Sequence, residues 1–196
     1  MTQEKWVKMR TAVARNSPEK LEEIAGGSEE VLKAIHTNAV HKTAIHHNSI
    51  DAMRWMLQKG TNPTTVICPA LINGTEEMAL AILEFISPEN ETNGIILGVA
   101  AQYGRTQACQ KMLSMGLSPN LNTGEPLRSA SQGKQRNTAI LLIDHGANLK
   151  LALGLEDAMG IFDPIHKEHC KLRDLTLLEE IYASQKLRTE TSPLEI

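Results

Sequence analysis

The side chains best suited to chemistry stand together in the segment His166-Lys167-Glu168-His169-Cys170. On a helix, the two histidines and the cysteine lie at positions i, i+3 and i+4, which share one face. Imidazole and thiolate groups arranged in this way hold Zn²⁺ in many proteins. The sequence offers no fourth ligand nearby and no paired-cysteine motif. We therefore expect no bound metal and no cofactor, and an enzyme with a site at His166–Cys170 stays an alternative.

A second group of histidines lies earlier in the chain: His36, His41, His46 and His47. Because a spacing of five residues drifts around a helix, these side chains do not all share a face. We interpret them as polar positions of a helical repeat, and a pH-sensitive binding surface is the alternative. The chain has neither a phosphate-binding P-loop motif nor a Gly-x-Ser-x-Gly elbow. These patterns predict a protein that is not an enzyme.

The elements that must position such residues are predicted to be helices. Aromatic residues make up only 3% of the 196-residue chain and hydrophobic residues 41%, so the core must be aliphatic. An aliphatic core suits helix packed on helix better than a β-sandwich. The net charge is −3, and acidic and basic residues are mixed along the chain. This pattern gives no indication of a basic surface for nucleic acid. We expect no nucleic acid to bind, and a monomer in isolation.

The cysteines and the start of the chain bear on where the protein works. Cys68, Cys109 and Cys170 are odd in number and widely spaced, so they form no disulfide framework and are expected to be buried thiols. Residues 1–15 show no secretory signal, and no run approaches the roughly 20 apolar residues of a membrane span. We expect no membrane contact, and a cytoplasmic location or delivery into a host cell without a conventional signal peptide.

Several segments repeat one anatomy, in which a short alanine-rich helix, a tight turn and a second helix follow one another. Three second helices carry an apolar pair, and a glycine follows each pair by three residues: Met56-Leu57 with Gly60, Met112-Leu113 with Gly116, and Leu142-Ile143 with Gly146. Glycine fits the left-handed conformation that ends a helix. A degraded copy has Ile82-Leu83 as its pair and Ile86 in the glycine position. Such a period is typical of a repeat array.

The best-preserved copy carries a short motif at each of its ends. It opens with Glu125-Pro126-Leu127-Arg128-Ser129-Ala130 and closes with Leu142-Ile143-Asp144-His145-Gly146-Ala147-Asn148. These motifs resemble the Thr-Pro-Leu-His opening and the Gly-Ala-Asn closing of the ankyrin repeat family, whose repeat of about 33 residues contains two antiparallel helices. The resemblance covers about residues 36–150. It implies stacked helix pairs, here with shortened turns between them.

We therefore predict an all-α fold, an ankyrin-like repeat solenoid of antiparallel helix pairs with helical caps at both ends. Residues 1–35 are predicted to form the N-terminal helical cap and residues 36–162 the degenerate ankyrin-like repeats. Residues 163–196 are predicted to form a C-terminal capping helix and a frayed tail. Repeat arrays need caps because each terminal repeat would otherwise expose a face meant for a neighbour.

The resemblance also implies where a partner would bind, because ankyrin arrays bind proteins through the exposed ends of their first helices and the turns, which line a concave face. The predicted partner-binding residues at the helix ends are His46, His47, Ile72, Asn73, Gln102, Tyr103 and Gln132. The predicted partner-binding residues in the turns are Asn62, Asn120 and Asn148. Tyr103 is the expected anchor because aromatic side chains dominate the energetics of interfaces.

The function implied by the resemblance is non-catalytic binding of a protein partner. The degenerate repeats and long flanks are similar to those of the stand-alone ankyrin proteins of intracellular bacteria and large viruses, which often target host proteins. A host-directed effector is therefore one form of this expectation. The alternatives are an immunity or antitoxin-like inhibitor of one specific protein, and the enzyme with a site near His166.

Overall fold

The structure is a computed structural model that describes residues 2–148. All regular secondary structure in this range is α-helical, which confirms the all-α prediction for these residues. The helices, in chain order, are α1 (Gln3–Ala14), α2 (Pro18–Ala25), α3 (Glu29–Ile35), α4 (Asn38–His46), α5 (Ile50–Gln58), α6 (Pro63–Asn73), α7 (Glu76–Leu83), α8 (Asn93–Gln102), α9 (Thr106–Ser114), α10 (Leu121–Gln132) and α11 (Arg136–Asp144). None of these helices is both long enough and apolar enough to span a membrane. The predicted C-terminal cap at 163–196, with His166, His169 and Cys170, lies outside the described residues.

Short polar residues set the starts of several helices. The hydroxyl of Thr75 accepts a hydrogen bond from the Met78 N–H at 3.2 Å, so it satisfies one of the backbone donors left unpaired at the start of α7. Pro18 occupies the first position of α2, where its missing N–H costs nothing.

The helices associate in pairs, and each pair contacts its neighbours in a regular order. We call α1, α4, α6, α8 and α10 the first helices, and α2, α5, α7, α9 and α11 the second helices. Each first helix packs against the second helix that follows it. Successive first helices also contact one another, α1 with α4, α4 with α6, α6 with α8 and α8 with α10, and successive second helices do the same. The short helix α3 lies between the first two pairs in the chain and contacts α2 and α4.

The core between the helices is aliphatic, as the composition predicted. The apolar pairs of the second helices face inward: Met56, Ile82, Met112 and Leu142 are each at most 1% exposed. On the first helices, Ala44, Ala100 and Ala130 are fully buried, and their small side chains let neighbouring helices approach closely. Ile143 is only half-buried, so the last apolar pair contributes mainly through its first member.

The glycines after the apolar pairs end their helices in the left-handed conformation. At Gly60, with φ +98°, the N–H bonds to the Leu57 carbonyl, and the next N–H, of Thr61, bonds to the Met56 carbonyl. This pair of hydrogen bonds is the Schellman motif, and it repeats at Gly116 and Gly146. The degraded copy needs no glycine because the backbone at Ile86 has no positive φ and its side chain is buried.

The start of α10 departs from regular helix geometry. Asn122, Thr123 and Gly124 have φ values of 49°, 58° and 83°, so the chain takes a left-handed course before the regular part of the helix begins at Glu125. A positive φ at the β-branched Thr123 is a strained conformation. Pro126 then stands in the first turn of the regular segment, where its ring is tolerated.

Candidate protein-interaction surface

Seven of the predicted partner-binding residues lie at the carboxyl ends of the first helices. They occupy the last one or two positions of α4, α6, α8 and α10, or the capping residue that follows. All seven side chains are exposed. We call them the terminal row: His46, His47, Ile72, Asn73, Gln102, Tyr103 and Gln132. The register inferred from the repeats therefore places one or two of these residues on each of four neighbouring helices.

Direct contacts bring the ends of these helices side by side. Arg105, in the turn after α8, donates hydrogen bonds to the carbonyls of Leu71 at 2.8 Å and Gly74 at 2.7 Å, both at the end of α6. The ends of α8 and α10 approach even more closely, because a Cβ built on Gly133 would lie 1.9 Å from the Gln102 carbonyl oxygen. The terminal row is thus continuous from α6 to α10.

Within the row, Tyr103 and the histidine pair carry the aromatic side chains. Tyr103 caps α8 and is 43% exposed. The rings of His46 and His47 pack edge to face, with their centroids 5.2 Å apart and their planes at 86°. Aromatic groups held in this way offer contact area to a partner at a low cost in conformational entropy.

The three predicted turn asparagines lie apart from the terminal row, and their polar groups bond within the chain. Asn62 caps α6, and its side-chain oxygen accepts hydrogen bonds from the N–H and the hydroxyl of Thr64. Asn120 donates to the Gly146 carbonyl at 3.0 Å and accepts from the Asn148 N–H at 2.7 Å. These asparagines precede first helices or follow α11, whereas the row lies where the first helices end.

The distance between the two groups follows from the length of a first helix. Ten residues of α8 at 1.5 Å per residue span about 15 Å. The structure therefore splits the predicted set into an exposed row and a group of turn asparagines that stabilise helix starts and the contact between successive turns.

A groove between α8 and α10, not predicted from the sequence, adjoins the terminal row. Its volume is about 340 Å³, and its walls are Ile95, Gly98, Val99 and Gln102 on α8 and Asn122, Glu125, Arg128 and Ser129 on α10. Ile95 is 58% exposed. Glu125 forms an ion pair with Arg128 and accepts a hydrogen bond from the Ser129 hydroxyl at 3.0 Å. The groove thus combines an apolar wall, formed by Ile95 and Val99, with an ion pair whose charges compensate each other.

The sequence did carry a signal for this groove. Ile95, Val99 and Gln102 lie at positions i, i+4 and i+7, which is one face of a helix. Their neighbours Ile96 and Leu97 are at most 1% exposed and already fill the core. Because Ile96 and Leu97 fill the core, the sequence leaves Ile95 as an additional apolar residue that is available for the surface. The width of the groove depends on the spacing between the helices, which the sequence does not give.

Large apolar side chains are exposed mainly on the first helices. In the described part of the chain, five such side chains are exposed: Val7, Ile72, Phe85, Ile95 and Tyr103. Four of them lie on α1, α6 and α8 or at the cap of α8, and only Phe85 follows a second helix. Single exposed apolar residues are common in proteins, and here four of the five share the first helices.

A second groove lies between the first helices α1 and α4. It has a volume of about 360 Å³ and is lined in part by Val7 of α1 and by His47 of the terminal row. One groove thus lies at each end of the set of first helices, and each is lined by a residue predicted to bind a partner, Gln102 or His47.

His41 corrects the interpretation of the histidine cluster as polar positions of the repeat surface. It is only 5% exposed, and neither ring nitrogen has a hydrogen-bond partner of good geometry among the described residues. Burial, together with the charge of His36 when protonated, lowers the pKa of His41. His36 itself places Nδ1 2.9 Å from the Thr61 hydroxyl. His36, His46 and His47 are exposed, so His41 alone of the four lies in the interior.

The two described cysteines are unsuited to nucleophilic chemistry. Cys109 is fully buried, and burial together with nearby Glu76 raises the pKa of its thiol to about 12. Cys68 is half-buried rather than fully buried as predicted, and burial raises the pKa of its thiol too. Within residues 2–148, no group of three or more His, Cys, Asp or Glu side chains is placed to hold a metal ion.

Comparison with known proteins adds no relative. Neither the protein-family models, nor the curated proteins, nor the solved structures gave a match to this chain.

Proposed function

We propose that the described helices form an array of ankyrin-like helix pairs. Two features support this proposal. First helices pack on first helices and second helices on second helices, which is the contact order of a solenoid. Left-handed glycines end α5, α9 and α11 at corresponding positions, so three of the pairs end in the same way. In this arrangement α1 and α2 stack as a further pair ahead of the repeats.

We further propose that the protein is a non-catalytic module that binds a protein partner through the first helices. The observation that carries this proposal is the concentration of exposed apolar side chains on those helices, with Ile72, Ile95 and Tyr103 on or beside the terminal row. A partner that covered these side chains would remove their apolar surface from water, worth about 25 cal/mol for each Å² buried.

In this proposal, Tyr103 and Ile95 act as the anchors of the interface. Both belong to α8 or its cap and stand eight residues apart, near the opposite ends of this helix. The groove between α8 and α10 receives a side chain of the partner, while Gln102, Asn122 and Arg128 supply hydrogen bonds at its margin. Apolar anchors inside a polar rim are the usual anatomy of a protein interface.

Affinity capture with matched variants tests the proposal. The wild-type chain, an Ile95→Glu/Tyr103→Ala variant and a Phe85→Ser control are immobilised after circular dichroism has shown equal helicity. We expect the wild type and the control to retain the same protein, and the double variant to lose it. Because Phe85 is also an exposed apolar residue but follows a second helix, equal retention by all three chains would refute binding through the first helices.

A further inference from the structure

The groove between α1 and α4 has a basic character that the groove between α8 and α10 lacks. It is lined by Arg10 of α1 and Arg15 at its cap, and by Thr43 of α4 and His47 at its cap, and no carboxylate of the described residues lines it. In the other groove, the single arginine is neutralised by Glu125. The two grooves on the first helices therefore differ in charge.

Arg10 donates a hydrogen bond to a buried hydroxyl. The Thr43 Oγ1 donates its hydrogen to the Ala39 carbonyl at 2.9 Å, so its lone pairs are free to accept from Arg10 Nη2 at 3.4 Å. Thr43 is only 9% exposed, which fixes this acceptor within the fold. An arginine that is already oriented loses less conformational entropy when it binds a ligand.

Arg15 and Arg10 are both without a carboxylate partner in the described part of the chain. Five other basic residues there pair with carboxylates: Lys8 with Glu4, Lys33 with Glu29, Arg54 with Glu84, Lys59 with Glu22 and Arg128 with Glu125. Arg15 caps α1 at the mouth of the groove, and its guanidinium forms no hydrogen bond among these residues. Two positive charges thus face one groove with no internal counter-charge.

The remaining wall of this groove is apolar. Val7 is 55% exposed and Trp6 is half-buried, and both line the groove beside the arginines. We propose that this groove binds an acidic segment of the partner protein, whose Asp or Glu carboxylate pairs with Arg10 and Arg15 while an apolar neighbour packs on Val7. The proposal rests on the function proposed above and names the chemistry of one part of the partner.

The combination of charge and apolar surface favours a peptide over other anions. A guanidinium presents two parallel N–H groups that match the two oxygens of a carboxylate. An inorganic phosphate ion or a nucleic-acid backbone would satisfy the arginines but leave the wall at Val7 and Trp6 exposed.

Nuclear magnetic resonance titration of the full chain provides the test. The probe is the blocked peptide Glu-Leu-Glu-Glu-Leu-Glu, the control peptide replaces each Glu with Gln, and the signals followed are the Nε–Hε groups of Arg10 and Arg15. We expect saturable shifts of both signals with the acidic peptide only. An Arg10→Gln/Arg15→Gln variant should bind about tenfold more weakly, because two charge-assisted interactions are lost.

The matched control is the Lys33→Gln/Lys111→Gln variant, which removes the same charge from exposed positions on α3 and α9 and should bind the acidic peptide like the wild type. Equal binding of the Gln peptide, equal affinity for inorganic phosphate, or unchanged affinity in the arginine variant would each overturn the proposal. Shifts at α1 and α4 that depend on protein concentration alone would assign the groove to a second copy of the chain and overturn it too.

This test and the capture experiment fail independently. If the acidic peptide does not bind the groove but the Ile95→Glu/Tyr103→Ala variant still loses its partner, only the acidic segment is refuted. If the peptide binds while that variant retains its partner, the proposed role of the terminal row is refuted and the chemistry of the groove stands.

Discussion

A methyl group at position 133 should force apart the ends of α8 and α10. A Cβ built on Gly133 lies 1.9 Å from the carbonyl oxygen of Gln102 and 2.8 Å from its carbonyl carbon. Non-bonded carbon atoms in contact lie roughly 3.5–4.0 Å apart. Because both opposing atoms belong to the backbone, no change of rotamer can relieve the overlap. The Gly133→Ala substitution must therefore displace one helix end from the other.

The size of the effect follows from two opposing contributions. Gly133 has φ −75° and ψ −5°, which alanine adopts readily, so replacing glycine would by itself stabilise by about 0.4–1 kcal/mol. Overpacking costs about 1–3 kcal/mol, and a clash with backbone belongs at or above the upper end of that range. We expect a net loss of about 2 kcal/mol in the free energy of unfolding, or a fall of roughly 4–8 °C in melting temperature.

Gly98→Ala is the matched control. Gly98 lies inside α8, and its added Cβ would meet only the Glu125 and Ser129 side chains, at 3.4 and 3.6 Å. Alanine is favoured over glycine within a helix by roughly 0.5–1 kcal/mol, so this variant should melt at or above the wild-type temperature. If Gly133→Ala melts within 1 °C of the wild type, the contact that makes the terminal row continuous between α8 and α10 does not exist.

Three further perturbations test other parts of the structure. Leu113→Ala should lower the free energy of unfolding by about 2–5 kcal/mol in urea denaturation, because Leu113 is 7% exposed in the core of a central pair; a loss below about 0.5 kcal/mol would mean that the register is wrong. Arg105→Gln should raise hydrogen exchange at the end of α6, where its two hydrogen bonds to carbonyls are lost, and unchanged exchange would contradict that role. Acid should destabilise the protein through His41, because the pKa of His41 is lower in the folded state than its value of about 6.5 in the unfolded state. The unfolded state therefore binds the proton more readily, and the free energy of unfolding falls as the pH drops below about 6.5. The fall is at most about 1.4 kcal/mol per pH unit. His41→Leu should remove part of the loss measured by urea denaturation between pH 7.5 and 5.5, whereas a His47→Gln control should keep it; an equal loss in all three chains would contradict this assignment.

The parts of the fold that local sequence determines could be predicted. The apolar pairs lie in the core and the glycine at position 60 takes the left-handed conformation, because helix periodicity and helix termination depend on nearby residues. The left-handed course of Asn122 and Thr123 could not be predicted, since neither residue type requires a positive φ. That course depends on how α10 packs against α8.

The candidate site was predictable only in part, because some of its features depend on contacts between helices that are distant in the sequence. The exposure of Tyr103 and Gln102 follows from their position at a helix end, which the repeat register gives. The burial of His41 and the bonding of Asn120 to the next turn depend on neighbouring elements, so the sequence could not distinguish them from exposed positions. The grooves, with the arginines of α1, arise from the spacing between first helices and carry no motif of their own.

Site-specific photo-cross-linking tests the central claim, that a protein partner binds the first helices, most directly. A benzophenone amino acid replaces Tyr103 in one variant and Phe85 in another. The two side chains have similar exposure, 43% for Tyr103 and 37% for Phe85. Tyr103 caps the first helix α8, whereas Phe85 follows the second helix α7. Irradiation in cells that produce the protein should yield one discrete cross-linked protein from position 103 and none from position 85. Cross-links to the same protein from both positions in equal yield, or from position 85 alone, would contradict the account.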